Sequence, residues 1–245
     1  MNIGLVGINH TKKQIKEFES IFLTNEGKQN FYTKVVSECP VKELVILTTC
    51  NRVEFYFAAE DIDVAGKWIM ETLSIQKNVD KDITTSLLEI YGEKQTIVHL
   101  FEVASGVQSM VVGENEILGQ VKEAYDIAFS KHKTGPILNK AFQSAIATGK
   151  RARAETAISR GAYSVSSIAI DAIRKTLLDY FEMTVLIIGM GTMGTRCLKK
   201  LDALAHPNIS IANRTYETAD KLSNDHSVNV ESYDDVFENL SQLTH

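Results

Sequence analysis

The chain is poor in the residues that punctuate or cross-link small and disordered proteins. Of its 245 residues only 3 are Pro, 3 are Cys, 1 is Trp and 14 are Gly. So little Pro and Gly excludes long disordered or collagen-like stretches. The cysteines, Cys39, Cys50 and Cys197, are odd in number and widely spaced, which fits neither a disulfide framework nor a zinc site. No metal-ligand set stands out elsewhere. No apolar run reaches the roughly 18 residues that a membrane-spanning helix needs, so no membrane association is expected. The opening residues, Met1 to His10, lack the basic segment and long apolar core of a secretory signal. A reducing, cytoplasmic setting is the simplest expectation. An excess of cations is also missing, since 26 Lys and Arg face 31 Asp and Glu for a formal net charge of −5. Proteins that bind nucleic acid by bulk electrostatics are usually basic, so any such contact must come from a local patch.

What remains is an ordinary globular composition, 44% hydrophobic and 23% charged, with a pattern that changes along the chain. Strand signals fall at Asn2–Ile8, Glu43–Thr49, Glu54–Ala58 and Ile83–Tyr91, with helical stretches at Glu19–Val36 and Asp63–Leu73. That β-α-β-β-α-β order predicts a ferredoxin-like α+β domain with helices on one face of its sheet. From Gln95 to about Arg153 apolar residues recur at helical spacing, among them Val121, Ala124, Tyr125, Ala128, Ala141, Phe142 and Ala145. This predicts helices added to the first domain.

A third segment starts near Ser159 with an amphipathic helix over Ser164–Ile173, followed by the wholly apolar run Val185-Leu186-Ile187-Ile188. Such a run suits a buried parallel strand. It enters Gly189-Met190-Gly191-Thr192-Met193-Gly194, then a helix from Thr195, a strand at Asn208–Ala212, a helix at Glu217–Asn224 and a short strand at Val228–Val230. A GxGxxG turn between strand and helix is the fingerprint of a dinucleotide-binding Rossmann unit. Its first glycine permits the tight turn, its second lets backbone approach a pyrophosphate, and its third lets helix and strand pack closely. After the second strand, where NAD binders usually carry a carboxylate for the ribose 2′-hydroxyl, this chain has Asn213-Arg214-Thr215. Arg214 can pair with a 2′-phosphate, so NADPH is the expected cofactor, although a solvated strand-end charge is the plainer reading of Arg214. The expected organisation is therefore a catalytic domain over 1–155 and an NADP-binding Rossmann domain over 156–245. From Thr184 onward there is room for about three strands, so that Rossmann domain is expected to be partial.

Cys50 leaves an apolar strand within Thr48-Thr49-Cys50-Asn51-Arg52-Val53-Glu54. A guanidinium two residues away can stabilise a thiolate, the nucleophilic form; a buried inert cysteine fits the same pattern. A reactive thiol beside a nicotinamide nucleotide has one natural use. It accepts an acyl group as a thioester, whose carbonyl then accepts hydride.

Together these motifs resemble the glutamyl-tRNA reductase family. The resemblance rests on Gly7-Ile8-Asn9-His10, on the Thr48–Glu54 block, on the long block from His99 to Lys122, on Gly149–Thr156, and on the glycine turn with Asn213-Arg214-Thr215. It implies NADPH-dependent reduction of glutamyl-tRNA(Glu) to glutamate 1-semialdehyde, the first step of five-carbon tetrapyrrole (porphyrin, heme) synthesis. Cys50 would be the nucleophile and His99 a second catalytic residue acting by proton transfer. Thr49, Asn51, Arg52, Ser109, Glu114, Asn115, Glu116 and Gln120 would line the substrate pocket. Arg52 would hold a carboxylate, with Glu114 and Glu116 on the α-ammonium. Gly189, Met190, Gly191, Thr192, Met193, Gly194, Asn213, Arg214 and Thr215 would hold the cofactor. The blander readings are a helix-start histidine satisfied by backbone for His99 and a solvated face for the two glutamates. Lys140, Lys150, Arg151, Arg153 and Arg160 form the one dense basic cluster, either a contact for tRNA phosphates or a solvated helix face.

The chain departs from the family's pattern at Gln108 (usually Asp), Asn115-Glu116 (usually Pro-Gln) and Thr192 (often Glu). The family's dimerisation domain has no counterpart here, although a homodimer is the family's rule; the downstream aminomutase is a further expected partner. Two alternatives differ in class. One is a shortened, non-reducing relative that binds glutamyl-tRNA or a heme-pathway protein. The other is a shikimate-dehydrogenase-like oxidoreductase, which shares Asn-Arg-Thr but gives Cys50 no role.

Overall fold

The structure is a computed structural model that describes residues 1–9, 15–35, 39–114, 116–159 and 165–239. It divides into two compact units, Met1–Ala162 and Tyr163–His245. The first contains β1 (Asn2–Asn9), α1 (Ile15–Ile21), α2 (Asn25–Lys34), β2 (Glu43–Thr49), β3 (Arg52–Ala59), α3 (Ile62–Lys77), α4 (Lys81–Leu87) and β4 (Glu89–Tyr91). Three further helices follow, α5 (Glu93–Ser105), α6 (Glu116–Ser130) and α7 (Pro136–Glu155). The sheet runs β2-β3-β1-β4 with every neighbouring pair antiparallel, the ferredoxin-like arrangement.

Two local expectations change. The stretch read as one helix from Glu19 to Val36 is two, because Thr24 leaves helical geometry and accepts from the Gly27 N–H at 3.1 Å as the cap of α2. The stretch read as a strand from Ile83 to Tyr91 is mostly α4. Asp80 caps it by accepting from the Asp82 N–H at 2.8 Å. The Thr84, Thr85 and Ser86 hydroxyls then donate back to the carbonyls of Asp80, Lys81 and Ile83. These local bonds outweigh the β preference of the Ile-Thr-Thr run, leaving only Glu89–Tyr91 to pair with β1.

Helices cover both faces of the sheet rather than one. Every residue of β3 is buried, so the strand shows none of the in-out alternation of a half-solvated sheet. Phe55 packs on Phe31 with ring centroids 4.9 Å apart, and Phe31 meets Trp68 of α3 edge-on. On the opposite face Tyr56 meets Phe142 of α7 edge-on at 5.3 Å. One strand therefore sends Phe55 into an aromatic layer and Arg52, Glu54 and Tyr56 toward the helices added after β4.

α7 is anchored by a strand residue. The buried Glu43 carboxylate, at the start of β2, accepts from the Leu138 N–H at 2.8 Å and the Ile137 N–H at 3.3 Å. It thus caps a helix whose own cap residue, Gly135, has no side chain to do so. A Cβ on Gly135 would lie 2.6 Å from Glu43 Oε1.

The second unit contains α8 (Val165–Thr176), β5 (Val185–Ile188), α9 (Thr192–Ala203), β6 (Ile209–Ala212), α10 (Tyr216–His226), β7 (Asn229–Val230) and α11 (Tyr233–Asn239). Its strands are parallel in the order β5-β6-β7, with helical crossovers as parallel pairing requires. β6 is buried throughout, whereas β5 is half-buried with Ile188 exposed. The expectation of a buried strand there is corrected, because among the described residues β5 is an edge strand with a neighbour on one side only. No described helix is long and apolar enough to cross a membrane. Glu43→Ala should lower the unfolding free energy by about 1–2 kcal/mol through loss of the α7 cap, read as a shifted urea midpoint; an unchanged midpoint would show that the cap does not matter.

Candidate active site and nucleotide-binding turn

β2 and β3 pair Thr49 with Arg52, so Cys50 and Asn51 form the two-residue tip of a hairpin. The Asn51 N–H donates to Thr49 Oγ1 at 3.1 Å, and Cys50 is exposed. Behind this tip lies a buried polar chain. Arg52 is only 1% exposed and donates through Nη1 to Glu54 Oε1 at 2.9 Å and through Nη2 to the Gln108 carbonyl at 2.6 Å. Glu54 Oε1 also meets His99 Nε2 at 2.8 Å, and its Oε2 accepts from the Tyr56 hydroxyl at 2.7 Å. Gly7 lies opposite Glu54 on β1, and a Cβ there would lie 3.0 Å from Glu54 Cγ.

The electrostatics follow from this geometry. Burial opposes the charge on Glu54, but the Arg52 guanidinium together with His99 and the Tyr56 hydroxyl outweighs it and holds the carboxyl below its ordinary value of 4.5. Burial and the adjacent Glu54 charge push the Tyr56 hydroxyl well above its ordinary range, so it remains a donor. With Glu54 as a carboxylate, the contact assigns the proton of His99 to Nε2 and leaves Nδ1 as the second functional atom. His99 lies in mid-helix on α5, held by a carboxylate rather than by backbone, so the helix-start alternative does not describe it. The Tyr91 ring stacks on it with centroids 6.0 Å apart. An open pocket of about 430 Å³ is lined by His99, Tyr91, Lys94, Gln95, Val98 and Glu102.

Cys50 corrects one expectation. Its thiol is pushed above the ordinary value of 9.0, first by burial and then by the Glu114 carboxylate, with Glu116 adding to it. A backbone hydrogen bond at Cys50 and the Arg52 guanidinium pull the other way without offsetting this. The surroundings of the thiol thus oppose thiolate formation rather than promote it.

The loop from α5 to α6 brings the remaining candidates to this hairpin. Gly106 and Gly113 both have φ +81°, and the Gly113 N–H donates to the Gly106 carbonyl at 3.0 Å to close the loop's neck. The Gln108 side chain donates to Glu102 at 2.8 Å, a bond that Asp at this position could not donate. Ser109 is buried with its hydroxyl unpartnered, as is Arg52 Nε. Glu116 and Gln120 lie one turn apart on α6 and share a face. Asn115 lies outside the described residues, as does Arg160.

The basic cluster on α7 is not one surface. Arg153 turns inward, donating through Nη1 to the carbonyls of Ala104 (2.8 Å) and Gly149 (3.0 Å) and through Nη2 to that of Glu114 (2.9 Å). Arg151 pairs with Glu155 at 3.1 Å on the exposed face, and Lys140 and Lys150 are exposed. A phosphate-binding role for Arg153 is thereby corrected: its guanidinium fixes the end of the loop from α5 to α6. Glu54, Tyr56 and Tyr91 are residues around this site that sequence reasoning did not single out, and Arg153 was singled out for a different role. One signal was available, since Arg52, Glu54 and Tyr56 place polar groups at every second position of an otherwise apolar strand.

In the second unit Gly189 has φ +91°, and the Cβ positions of Gly189 and Gly191 face open space. A Cβ on Gly194 would collide with the Gly189 carbonyl, so that glycine serves close packing. α9 starts at Thr192, three residues earlier than expected, with Gly191 as a cap that offers no side-chain bond. No capping side chain therefore occupies its first N–H groups, which leaves them to an anion at the helix start. Thr192 and Met193 lie in that first turn, and Met190 is buried. Asn213 Oδ1 accepts from the Met190 N–H at 2.9 Å, and its Nδ2 donates to the Thr215 carbonyl at 2.9 Å. Asn213 thus ties the glycine turn to the end of β6. Arg214 is exposed and takes no partner among the described residues. This turn fits the pyrophosphate end of a dinucleotide. Among the described residues no group of three or more His, Cys, Asp or Glu is placed to hold a metal ion. Buried Cys39 donates its thiol to the Val41 carbonyl.

Comparison with known proteins places these features in context. Residues 6–156 match the family model "Glutamyl-tRNAGlu reductase, N-terminal domain", and residues 172–244 match "Shikimate / quinate 5-dehydrogenase". Glutamyl-tRNA reductase of Archaeoglobus fulgidus is 34% identical over 223 residues, which is 91% of this chain and 48% of that protein. That of Alkaliphilus metalliredigens is 34% identical over 242 residues, 98% of this chain and 57% of that protein. The solved structure of glutamyl-tRNA reductase from Methanopyrus kandleri matches 99% of this chain and 57% of its own, with TM-score 0.61 and 33% identity. The chain spans about half the length of the curated relatives it matches.

Two measurements check this reading of the site. The rate of Cys50 alkylation by iodoacetamide should keep rising with pH beyond 9.0, and Glu114→Gln should move the profile to lower pH; a profile centred well below 9.0 would refute it. Because the Glu54 pKa is depressed, its stabilising effect is complete above 4.5 and disappears as pH falls through its folded value. Below pH 4.5 the wild type should therefore lose stability more steeply than Glu54→Gln, and parallel urea-midpoint curves would contradict this.

Proposed function

The chain belongs to the glutamyl-tRNA reductase family, and on that premise we propose that it converts glutamyl-tRNA(Glu) to glutamate 1-semialdehyde with NADPH, the opening step of five-carbon tetrapyrrole synthesis. The observation that carries this reading is an exposed Cys50 on a two-residue hairpin backed by the Arg52–Glu54–His99 chain. A thiol at a hairpin tip can approach an ester carbonyl that stays outside the protein core. The sulfur bonds to the glutamyl carbon, the ester C–O bond breaks, and the tRNA ribose oxygen leaves with a proton. His99 is assigned that proton transfer through Nδ1, its ring held by Glu54 and by the stacked Tyr91.

Glu114 and Glu116 are assigned the substrate's α-ammonium. Binding that cation would neutralise the carboxylates that keep the thiol protonated, so the substrate itself would activate Cys50. The unpartnered Arg52 Nε and Ser109 hydroxyl are assigned to polar groups of the glutamyl moiety, with Thr49, Asn51, Asn115 and Gln120 completing the pocket. Gly189, Gly191 and the α9 start would hold the pyrophosphate, and Arg214 the 2′-phosphate that distinguishes NADPH from NADH. When bound there, NADPH supplies hydride for the acyl carbon. Met190, Thr192, Met193, Gly194, Asn213 and Thr215 would shape that site, chiefly by fixing the turn. An aminomutase that consumes the aldehyde and a second copy of the chain are proposed partners, in the cytoplasm where charged tRNA resides.

The test is incubation with glutamyl-tRNA, with and without NADPH, followed by mass spectrometry. A glutamyl increment on Cys50 without NADPH and aldehyde with it are expected, both absent in Cys50→Ser. An increment with no aldehyde would assign this chain the acyl-transfer half alone. Aldehyde formation by Cys50→Ser at the wild-type rate would overturn the proposal.

A further inference from the structure

The loop from α5 to α6 exposes apolar side chains where the fold has taken care to make it rigid. Val107, Met110 and Val112 are 45%, 56% and 59% exposed. The loop beneath them is held at its neck by the Gly113–Gly106 bond, at Gln108 by Arg52 and at Glu114 by Arg153. A clamped loop with an apolar crest is suited to receive a partner, because exposed apolar patches on an ordered surface mark binding sites.

The crest's surroundings narrow the choice. Arg52, which grips the loop, is two residues from Cys50, and Glu114 at the loop's end is felt by the Cys50 thiol. The crest therefore lies on the loop that flanks the nucleophile. The two guanidiniums on this loop, Arg52 and Arg153, are spent on its backbone carbonyls, so neither is offered to a phosphate. An acyl group presented to Cys50 as an aminoacyl ester carries a ribose on its other side, within bonding distance of the reacting carbon, and that ribose carries a base. The base is the flat, uncharged part of the acceptor end, and it is the part that an apolar crest accommodates. Methionine supplies an adaptable contact for a base face, and the two valines extend its apolar surface.

We propose that Val107, Met110 and Val112 form the platform for the terminal base of the aminoacyl acceptor end. This rests on the acyl-acceptor reading of Cys50 and adds a nucleoside subsite to it. The test compares three acyl donors with the full chain: glutamyl-tRNA, 3′-O-glutamyl-adenosine and glutamate α-p-nitrophenyl ester, which has no nucleoside. The Met110→Ser/Val112→Ser variant should raise KM about tenfold for the first two and leave Cys50 acylation by the third unchanged, with Met110→Leu close to wild type. Equal losses on all three donors, or unchanged KM on all, would overturn the platform. So would a loss with tRNA but none with glutamyl-adenosine, which places the contact elsewhere on the tRNA. Normal adduct formation with slowed aldehyde release would assign the crest to the reductive half instead. If the unsubstituted protein takes no adduct from any donor, the acyl-acceptor reading itself fails and the platform with it.

Discussion

Placing a carboxylate inside a sheet covered on both faces is unfavourable unless its lone pairs meet donors, and Glu54 meets that condition from three directions. Arg52, His99 and Tyr56 converge on its two oxygens, and Gly7 leaves the space it occupies. Losing one partner from such a buried group is far more damaging than the net strength of the set suggests, because the remaining charge is stranded. The same carboxylate fixes the imidazole's orientation and neutralises the guanidinium. The geometry of the candidate site and the stability of the unit thus share one group, and at the hairpin tip burial and the nearby carboxylates outweigh Arg52 at the Cys50 thiol.

The loop that completes the site is held by the same physical device. Arg52 and Arg153 each donate to backbone carbonyls far away in sequence, and Glu43 accepts from the first N–H groups of α7. Charged side chains here satisfy backbone ends that would otherwise be unpaired inside the unit. α7 is central to this: Glu43 fixes its start and Gly149 brings it against the Ala104 carbonyl of α5. One turn beyond Gly149, Arg153 reaches both Ala104 and the loop. In the second unit the nucleotide turn works mostly through backbone, with Asn213 as the tie between the turn and β6.

Much of this was legible in the chain. The strand order of the first unit, the helices after it, and the glycine turn between strand and helix all follow from periodicity and turn chemistry. So does the place of Cys50 between two strands. Local competition defeated the sequence reading at Thr24 and Asp80, where caps redirected segments whose propensities pointed otherwise. Long-range packing defeated it at β3, where burial on both faces hid the alternation that separates Phe55 from Glu54 and Tyr56.

By itself the sequence determined which chemistries were present: a thiol in a polar turn, a histidine, two acidic residues near a loop, and glycines spaced for a phosphate. Spacing along the chain carries that information because turns, caps and periodicity are local. Only the tertiary structure decided which charges meet. It turned Arg52 and Arg153 inward, joined His99 to Glu54 across 45 residues of chain, and surrounded the Cys50 thiol with groups that oppose its ionisation, since electrostatic energy depends on distance through space and on burial.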